Sequence, residues 1–331
     1  MRSLVILIVA ALLFGGCEKA LELKSSPAGS KKVFQEAWNV LDQRYALFSV
    51  KNVDWNKVYQ DFSPQVSDEM TEHDLFILMS HMLDSLKDGH VALTSATENY
   101  TYEGFYKLYP ANFNYTNLKN NYLKNDYKTS GALLYKKTDG VGYIYCPSFS
   151  TDITDNEIET VLNEMADTKG LIIDIRENTG GKTSNADRLF AHFINNQVIA
   201  KYEKIKKGVE HDDFYDPVAY SISPLLPYYD KPVVVLTNRK CFSACNDFVS
   251  YMSQLENVKI FGDQTGGGGS IPHSYILSNG WTIQYSSSIT LSPGKVPTDN
   301  GIAPDRPLTI TPVQEGLGQD IIIENAFDYL H

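Results

Sequence analysis

Thr237-Asn-Arg-Lys-Cys-Phe-Ser-Ala-Cys-Asn-Asp247 closes an apolar run that begins at Pro232 and opens a helical pattern over residues 244–255. A short apolar run bounded by turn residues reads as a buried strand. Ser243 therefore stands in a strand-to-helix turn. The same alternation recurs on both sides of it. Residues 141–145, 171–175 and 258–261 read as strands, and residues 156–166 and 184–194 as amphipathic helices. That order implies β-α-β crossovers and a largely parallel sheet. Chemistry in such sheets gathers at the carboxyl ends of the strands. Asp174-Ile-Arg-Glu-Asn-Thr-Gly-Gly181 lies at a second such end.

The first third of the chain has a different rhythm. Phe34, Ala37, Trp38, Leu41 and Tyr45 recur at helical spacing, as do Leu75, Leu78, Met79, Met82, Leu83 and Leu86. Thr71, with Asp74 three residues on, resembles a helix start. Asp88-Gly89 reads as that helix's end, glycine tolerating the left-handed backbone. His90 follows, leading into a strand over residues 91–94. Residues 96–135 are rich in Tyr, Asn and Lys and read as strands and loops. Residues 271–291 read as a hairpin around Ser278-Asn-Gly280, and residues 321–330 as a closing helix.

The 331 residues are 43% hydrophobic and 21% charged, ordinary values for a globular chain. A net charge of -11 argues against nucleic-acid binding through a broad basic patch. Met1-Arg2 precedes an apolar run, residues 4–14, too short to anchor stably across a bilayer. It ends in Phe14-Gly-Gly-Cys17, which resembles a bacterial lipoprotein cleavage site with Cys17 as the lipidated residue. An ordinary signal peptide that contains a cysteine is the competing reading. Residues 25–32 read as a flexible tether. Beyond Cys17 there are Cys146, Cys241 and Cys245, too few for a disulfide framework. Cys241 and Cys245 flank the serine turn and read as small buried thiols or as a pair. The expected location is the bacterial cell envelope, lipid-anchored, periplasmic or surface-exposed.

A serine hydroxyl is a weak nucleophile until a base lies within hydrogen-bond reach on a rigid mount. The turn supplies the mount, and the helix start adds N–H donors for an oxyanion. A plain helix cap is the competing role for Ser243, since serine is a preferred N-cap. The Gly180-Gly181 pair can leave backbone N–H groups free, and His90 supplies an imidazole that accepts protons near neutrality. Residues 264–270 hold four consecutive glycines without the Gly-Lys-Ser/Thr ending of a phosphate loop. They read as a close approach to substrate or as a mobile flap.

Five segments in order resemble the tail-specific, or C-terminal-processing, serine peptidases and their tricorn-core relatives. Leu171 to Gly181 is similar to the signature Asp-x-Arg-x-Asn-x-Gly-Gly. Phe242-Ser-Ala244 and Phe261-Gly-Asp-Gln-Thr-Gly266 resemble the Ser-Ala-x-Glu and Gly-Glu-x-Thr-x-Gly segments. Gly301-Ile-Ala-Pro-Asp305 matches Gly-Ile-x-Pro-Asp, and Leu86-Lys-Asp-Gly-His90 resembles the Asp-Gly-His element of the tricorn-like branch. The resemblance implies an α/β fold with a ClpP/crotonase-like peptidase core and an N-terminal helical subdomain. It implies Ser243 as nucleophile, His90 as base, and Gly180, Gly181 and Ala244 N–H groups as the oxyanion hole. Asp299 lies close to where the tricorn-like branch carries the acid that orients the histidine. Asp305, in the matched segment, is the structural alternative. The processing branch's catalytic lysine falls on Gly268, so no lysine base stands there. The roughly 50 residues between His90 and Gly140 fall short of the roughly 90 that the resemblance implies for that branch's PDZ domain, about 50 being only the low end of domain sizes.

The expected organisation is a signal segment over 1–16, a tether over 17–32, a helical subdomain over 33–95, Tyr-rich connections over 96–139 and the α/β peptidase core over 140–331. The expected activity is an exported serine endopeptidase acting on a peptide or protein substrate, with no metal or organic cofactor. A non-catalytic ligand- or peptide-binding lipoprotein on the same fold is the alternative. A structural subunit of a surface complex is a third.

Overall fold

The computed structural model describes residues 29–331. The signal segment, Cys17 and most of the expected tether lie outside the described residues. The centre of the molecule is a seven-stranded sheet in the order Arg306–Pro307, Val258–Gly262, Val233–Thr237, Gly170–Asp174, Val141–Tyr145, Leu133–Thr138 and Lys128–Ser130. The first five run parallel, and the last two are added by antiparallel pairing, each to its neighbour. The three central parallel strands are fully buried, as their near-continuous apolar sequences require. Helices Asp155–Glu164, Thr183–Ala191 and Ala244–Met252 cover one face through Ile158, Leu189 and Phe248. Helix Ile321–Leu330 covers the other through Ile322, Ile323 and Ala326. The expected α/β architecture is borne out.

A buried ion network fixes the closing helix to the strand end. Arg176, fully buried, donates to Asp174 Oδ2 at 2.6 Å and to Asp320 Oδ2 at 2.8 Å. Tyr143 Oη adds a bond to Asp174 Oδ2 at 2.6 Å. Asp320 is also the N-cap of the closing helix, its Oδ1 accepting from Ile322 and Ile323 N–H. One aspartate thus joins helix capping to sheet assembly.

The N-terminal layer is helical: Ser30–Arg44, Phe48–Lys51, Trp55–Phe62 and Glu72–Asp84. Thr71 caps the last of these, accepting from Asp74 N–H at 3.1 Å. Its end differs from expectation. The helix stops at Asp84, and the left-handed residue is Lys87 (φ 49°), not Gly89. Gly89 is glycine for another reason: a Cβ there would meet the Phe105 and Phe242 rings at 2.6 and 2.8 Å.

The hairpin Pro272–Ile276 and Thr282–Ser286 forms as expected, but pairs with Ala92–Thr94 in a separate four-stranded sheet. Its Leu277, Trp281, Ile283 and Tyr285 share one apolar cluster with the N-terminal helices. Two further strands, Val198–Ile205 and Val218–Ile222, join Ser288–Leu291 in a third sheet. Their mixed burial gives no clean alternation to read. The Tyr-rich segment carries helical turns at Gly104–Lys107 and Tyr115–Asn117 and a π-turn at Leu118–Leu123, beyond the strands and loops expected. Among the described residues, no helix is long and apolar enough to cross a membrane.

Candidate active site

Parallel strands Gly170–Asp174 and Val233–Thr237 lie side by side, with Asp174 opposite Leu236. Their carboxyl ends therefore bring the Asp174–Gly181 and Thr237–Asp247 segments together. Phe242 N–H donates to Asn178 O at 3.2 Å across this seam. Ser243 follows at φ 57° and ψ -126°, a left-handed conformation rare for a residue with a Cβ. Holding it there costs about 1–3 kcal/mol, sustained by the surrounding bonds. Ser243 N–H donates to Gly267 O at 2.9 Å, and Ser243 O accepts from Asp247 N–H at 3.1 Å. The hydroxyl makes no capping bond to helix Ala244–Met252. A cap role does not explain this serine.

The hydroxyl instead meets His90. Nε2 of His90 and Oγ of Ser243 are 3.3 Å apart, although 153 residues separate them in sequence. His90 is held on three sides. Its N–H donates to Asp88 Oδ1 at 2.9 Å, and its carbonyl accepts from Gln284 Nε2 at 2.9 Å. Its ring packs edge-on against Phe242, centroids 4.7 Å apart. Phe105, from the Tyr-rich segment, stacks on Phe242 in turn at 4.5 Å. Burial holds the imidazole below its usual pKa; Asp88 works against this and Lys51 with it. The neutral, proton-accepting form is favoured.

The glycine pair lies against the same turn. A Cβ on Gly180 would come within 2.9 Å of both Ser243 Cβ and Ala244 N. The N–H groups divide unevenly. Gly180 N–H donates to Asn178 Oδ1 at 2.9 Å, so it is already engaged. This corrects the expectation that Gly180 is an oxyanion donor. Its part is steric: no side chain fits between the two segments. Gly181 and Ala244 N–H groups have no acceptor among the described residues. They remain as the two candidate oxyanion donors.

Asp299 is buried behind this pair but makes no hydrogen bond to His90. Its Oδ1 accepts from Ser270 N–H at 2.8 Å, and Ser270 Oγ lies 2.6 Å from it. Its Oδ2 and the Nδ1 of His90 are both buried without a partner. Burial pushes the Asp299 carboxyl up to about 7, against the Ser270 bonds that favour its anion. Asp305 sits elsewhere, its Oδ2 accepting from Ile260 N–H at 2.8 Å. That is a sheet-edge role. Lys182 pairs with Asp152 at 2.6 Å on the surface.

The glycine-rich loop is packed against the protein itself. A Cβ on Gly267 (φ 83°) would meet Asp299 O at 2.1 Å, and one on Gly268 (φ 75°) would meet the Phe242 ring at 2.3 Å. Its glycines admit the Asp299 backbone and that ring, rather than freeing a flap. Gly268 also confirms that a side chain at the lysine position has no room beside Phe242. All three cysteines among the described residues are free and buried, so Cys241 and Cys245 do not pair. Cys241 Sγ donates to Ile175 O at 3.2 Å.

Two residues within the quoted segments have roles that their spacing did not reveal. Asn178 lies inside a quoted signature, yet its double bonding to Cys146 O and Gly180 N–H emerges only from the fold. Asn246 accepts from Thr265 Oγ1 at 2.7 Å and donates to Thr298 O at 3.2 Å, tying the serine's helix to the Asp299 segment. It occupies the glutamate position of Ser-Ala-x-Glu.

Two family models match the chain: peptidase family S41 over residues 140–308, and the tricorn protease C1 domain over residues 27–84. A solved structure of a putative peptidase from Parabacteroides merdae is 38% identical, with a TM-score of 0.88 over 92% of this chain and 97% of that one. Mature CPAF, solved in complex with lactacystin, shares the fold at 12% identity and a TM-score of 0.68, covering 91% of this chain and 96% of that one. A probable CtpA-like serine protease of Staphylococcus aureus is 26% identical over 174 residues, 52% of this chain. The match spans only 34% of that relative's length.

Proposed function

Because the chain belongs to peptidase family S41, we propose that it is a serine peptidase in which Ser243 is the nucleophile and His90 the general base. The observation that carries this reading is the 3.3 Å approach of His90 Nε2 to the hydroxyl of a serine held at positive φ. Such contacts are often long without substrate and tighten in the reacting complex. Ser243 Oγ attacks the scissile carbonyl carbon as its proton passes to His90 Nε2. The carbonyl oxygen becomes an oxyanion and takes hydrogen bonds from Gly181 and Ala244 N–H. His90 returns the proton to the leaving amine as the C–N bond breaks, leaving an acyl-serine. Water, deprotonated by His90, then releases the acid and frees Ser243. Each oxyanion donor contributes roughly 3 kcal/mol to lowering the barrier in hydrolases of this kind. Asp299 supports the imidazolium formed along the way, directly or through one water between Oδ2 and Nδ1.

The substrate is a peptide or an unfolded protein segment. The division into a helical subdomain, a Tyr-rich connection and a peptidase core belongs to the same proposal. So does export with a lipid on Cys17, which rests on the sequence of residues 1–17 alone. Metabolic labelling with a fatty acid tests the last point: label on wild type and none on Cys17→Ser supports it, and an unlabelled wild type removes it. For the activity, cleavage of an unstructured protein such as β-casein is the test. Ser243→Ala and His90→Ala should each lower turnover on the order of 10⁶-fold, as nucleophile and base losses do elsewhere. Equal cleavage by wild type and Ser243→Ala would assign the activity to a contaminant or another residue.

A further inference from the structure

We propose that Lys51, on the N-terminal helical layer, is a positioning residue for the serine–histidine pair: it clamps the Asp299 segment and sets a cation behind the imidazole. The inference rests on the roles just assigned to Ser243 and His90.

The clamp is made of two bonds. Lys51 Nζ donates to Asp299 O at 3.0 Å, and Asn300 Nδ2 donates to Val50 O at 3.0 Å. Both arise at the end of the short helix Phe48–Lys51, which Asn52 closes in the left-handed region (φ 54°). They reach across 248 and 250 residues of sequence. The region they hold also receives Asn246 and Ser270, so it is fixed from both layers.

The charges around the clamp give the lysine a second task. The charged and polar groups that act on His90 and Asp299 are Tyr45, Asp88, Ser270 and Lys51, of which Asp88 bonds His90 while Ser270 and Lys51 bond Asp299. Asp88 is committed, with Oδ1 on His90 N–H and Oδ2 accepting from Ser286 Oγ at 2.7 Å. Asp299 Oδ2, His90 Nδ1 and Tyr45 Oη are buried and unpartnered. Two carboxyl groups in one buried place disfavour each other's ionisation. Lys51 is the basic side chain bonded to this segment among the described residues, and its ammonium offsets that repulsion. It favours the Asp299 anion that can accept from His90 Nδ1–H, and opposes premature protonation of His90. A neutral side chain in its place would leave the pair operating only at higher pH.

Lys51→Met and Lys51→Arg separate this role from simple bracing. Two readouts are needed: the NMR titration of the His90 ring, assigned by loss of its signal in His90→Ala, and the pH dependence of Ser243 labelling by a fluorophosphonate. In Lys51→Met both midpoints should move up by about one pH unit, since the lost ammonium disfavours the His90 imidazolium as a like charge and favours the Asp299 carboxylate as an opposite one. Labelling should fall about tenfold below the midpoint and recover at alkaline pH. Lys51→Arg should keep the wild-type midpoints. Unmoved midpoints in Lys51→Met, with labelling reduced equally at every pH, would overturn the proposal and leave the lysine a brace. The ring titration needs no turnover. A wild type that never labels therefore removes the peptidase assignment, while the NMR midpoints still decide the role of Lys51.

Discussion

Ser243 shows how much a single backbone angle decides. Read as letters, a serine before an amphipathic helix is a cap before it is a nucleophile. The positive φ and the absence of a capping bond remove the cap reading and leave the proposed nucleophile. Asp299 has a comparable double life. Its raised pKa, about 7, means that activity should rise with pH as both it and His90 lose protons. The kcat/KM profile should therefore have an acid limb near neutrality. Asp299→Asn should lower the plateau while leaving the protein folded. The same shift has a stability consequence. A carboxyl whose folded pKa exceeds its unfolded value of about 3.9 contributes stability at low pH that is lost as pH rises through about 7. Asp299→Asn should accordingly match wild type in Tm near pH 4 and exceed it at pH 8. Thermal melts at the two pH values check this.

The strand ends and the loops that leave them were legible because their sequences obey strict local rules. Val141–Tyr145 and Val233–Thr237 are apolar almost throughout, and Asp174 to Gly181 carries a recognisable spacing. What stayed hidden depends on distant partners. Gly180 looks like a donor until Asn178 takes its N–H. Gly89 looks like a helix stop until two aromatic rings are found where its side chain would be. Lys51 gave no signal at all, since its meaning lies 248 residues away. The glycine-rich loop belongs here too. Gly267→Ala would drive a methyl into Asp299 O and strain a positive φ, and should reduce both activity and thermal stability. A variant with wild-type kinetics and Tm would show that the loop is looser than its packing implies. Arg176 gives the sharpest stability test. Arg176→Met leaves Asp174 and Asp320 buried without their cation, which should cost about 3–5 kcal/mol in urea unfolding.

The molecule folds as interleaved layers rather than as beads along the chain. The hairpin near residues 272–286 is remote in sequence from the N-terminal helices, yet one apolar cluster contains Leu41, Met79, Trp281 and Ile283. The proposed active site straddles the same junction: His90 and Lys51 come from the N-terminal part, Ser243 and Asp299 from the other. A chain beginning at residue 96 should therefore lose solubility as well as activity, because Leu277, Trp281 and Ile283 lose their cover. Soluble expression of that truncation with a cooperative melt would argue for two independent units.

The central claim is that His90 activates Ser243. Fluorophosphonate labelling of the wild-type protein, with the adduct located by mass spectrometry, tests it most directly when run beside Ser243→Ala and His90→Ala. One phosphonyl group on Ser243, with labelling abolished in the first variant and slowed by several orders of magnitude in the second, is the expected result. A folded wild type that takes up no label, or a His90→Ala variant that labels at the wild-type rate, would contradict it.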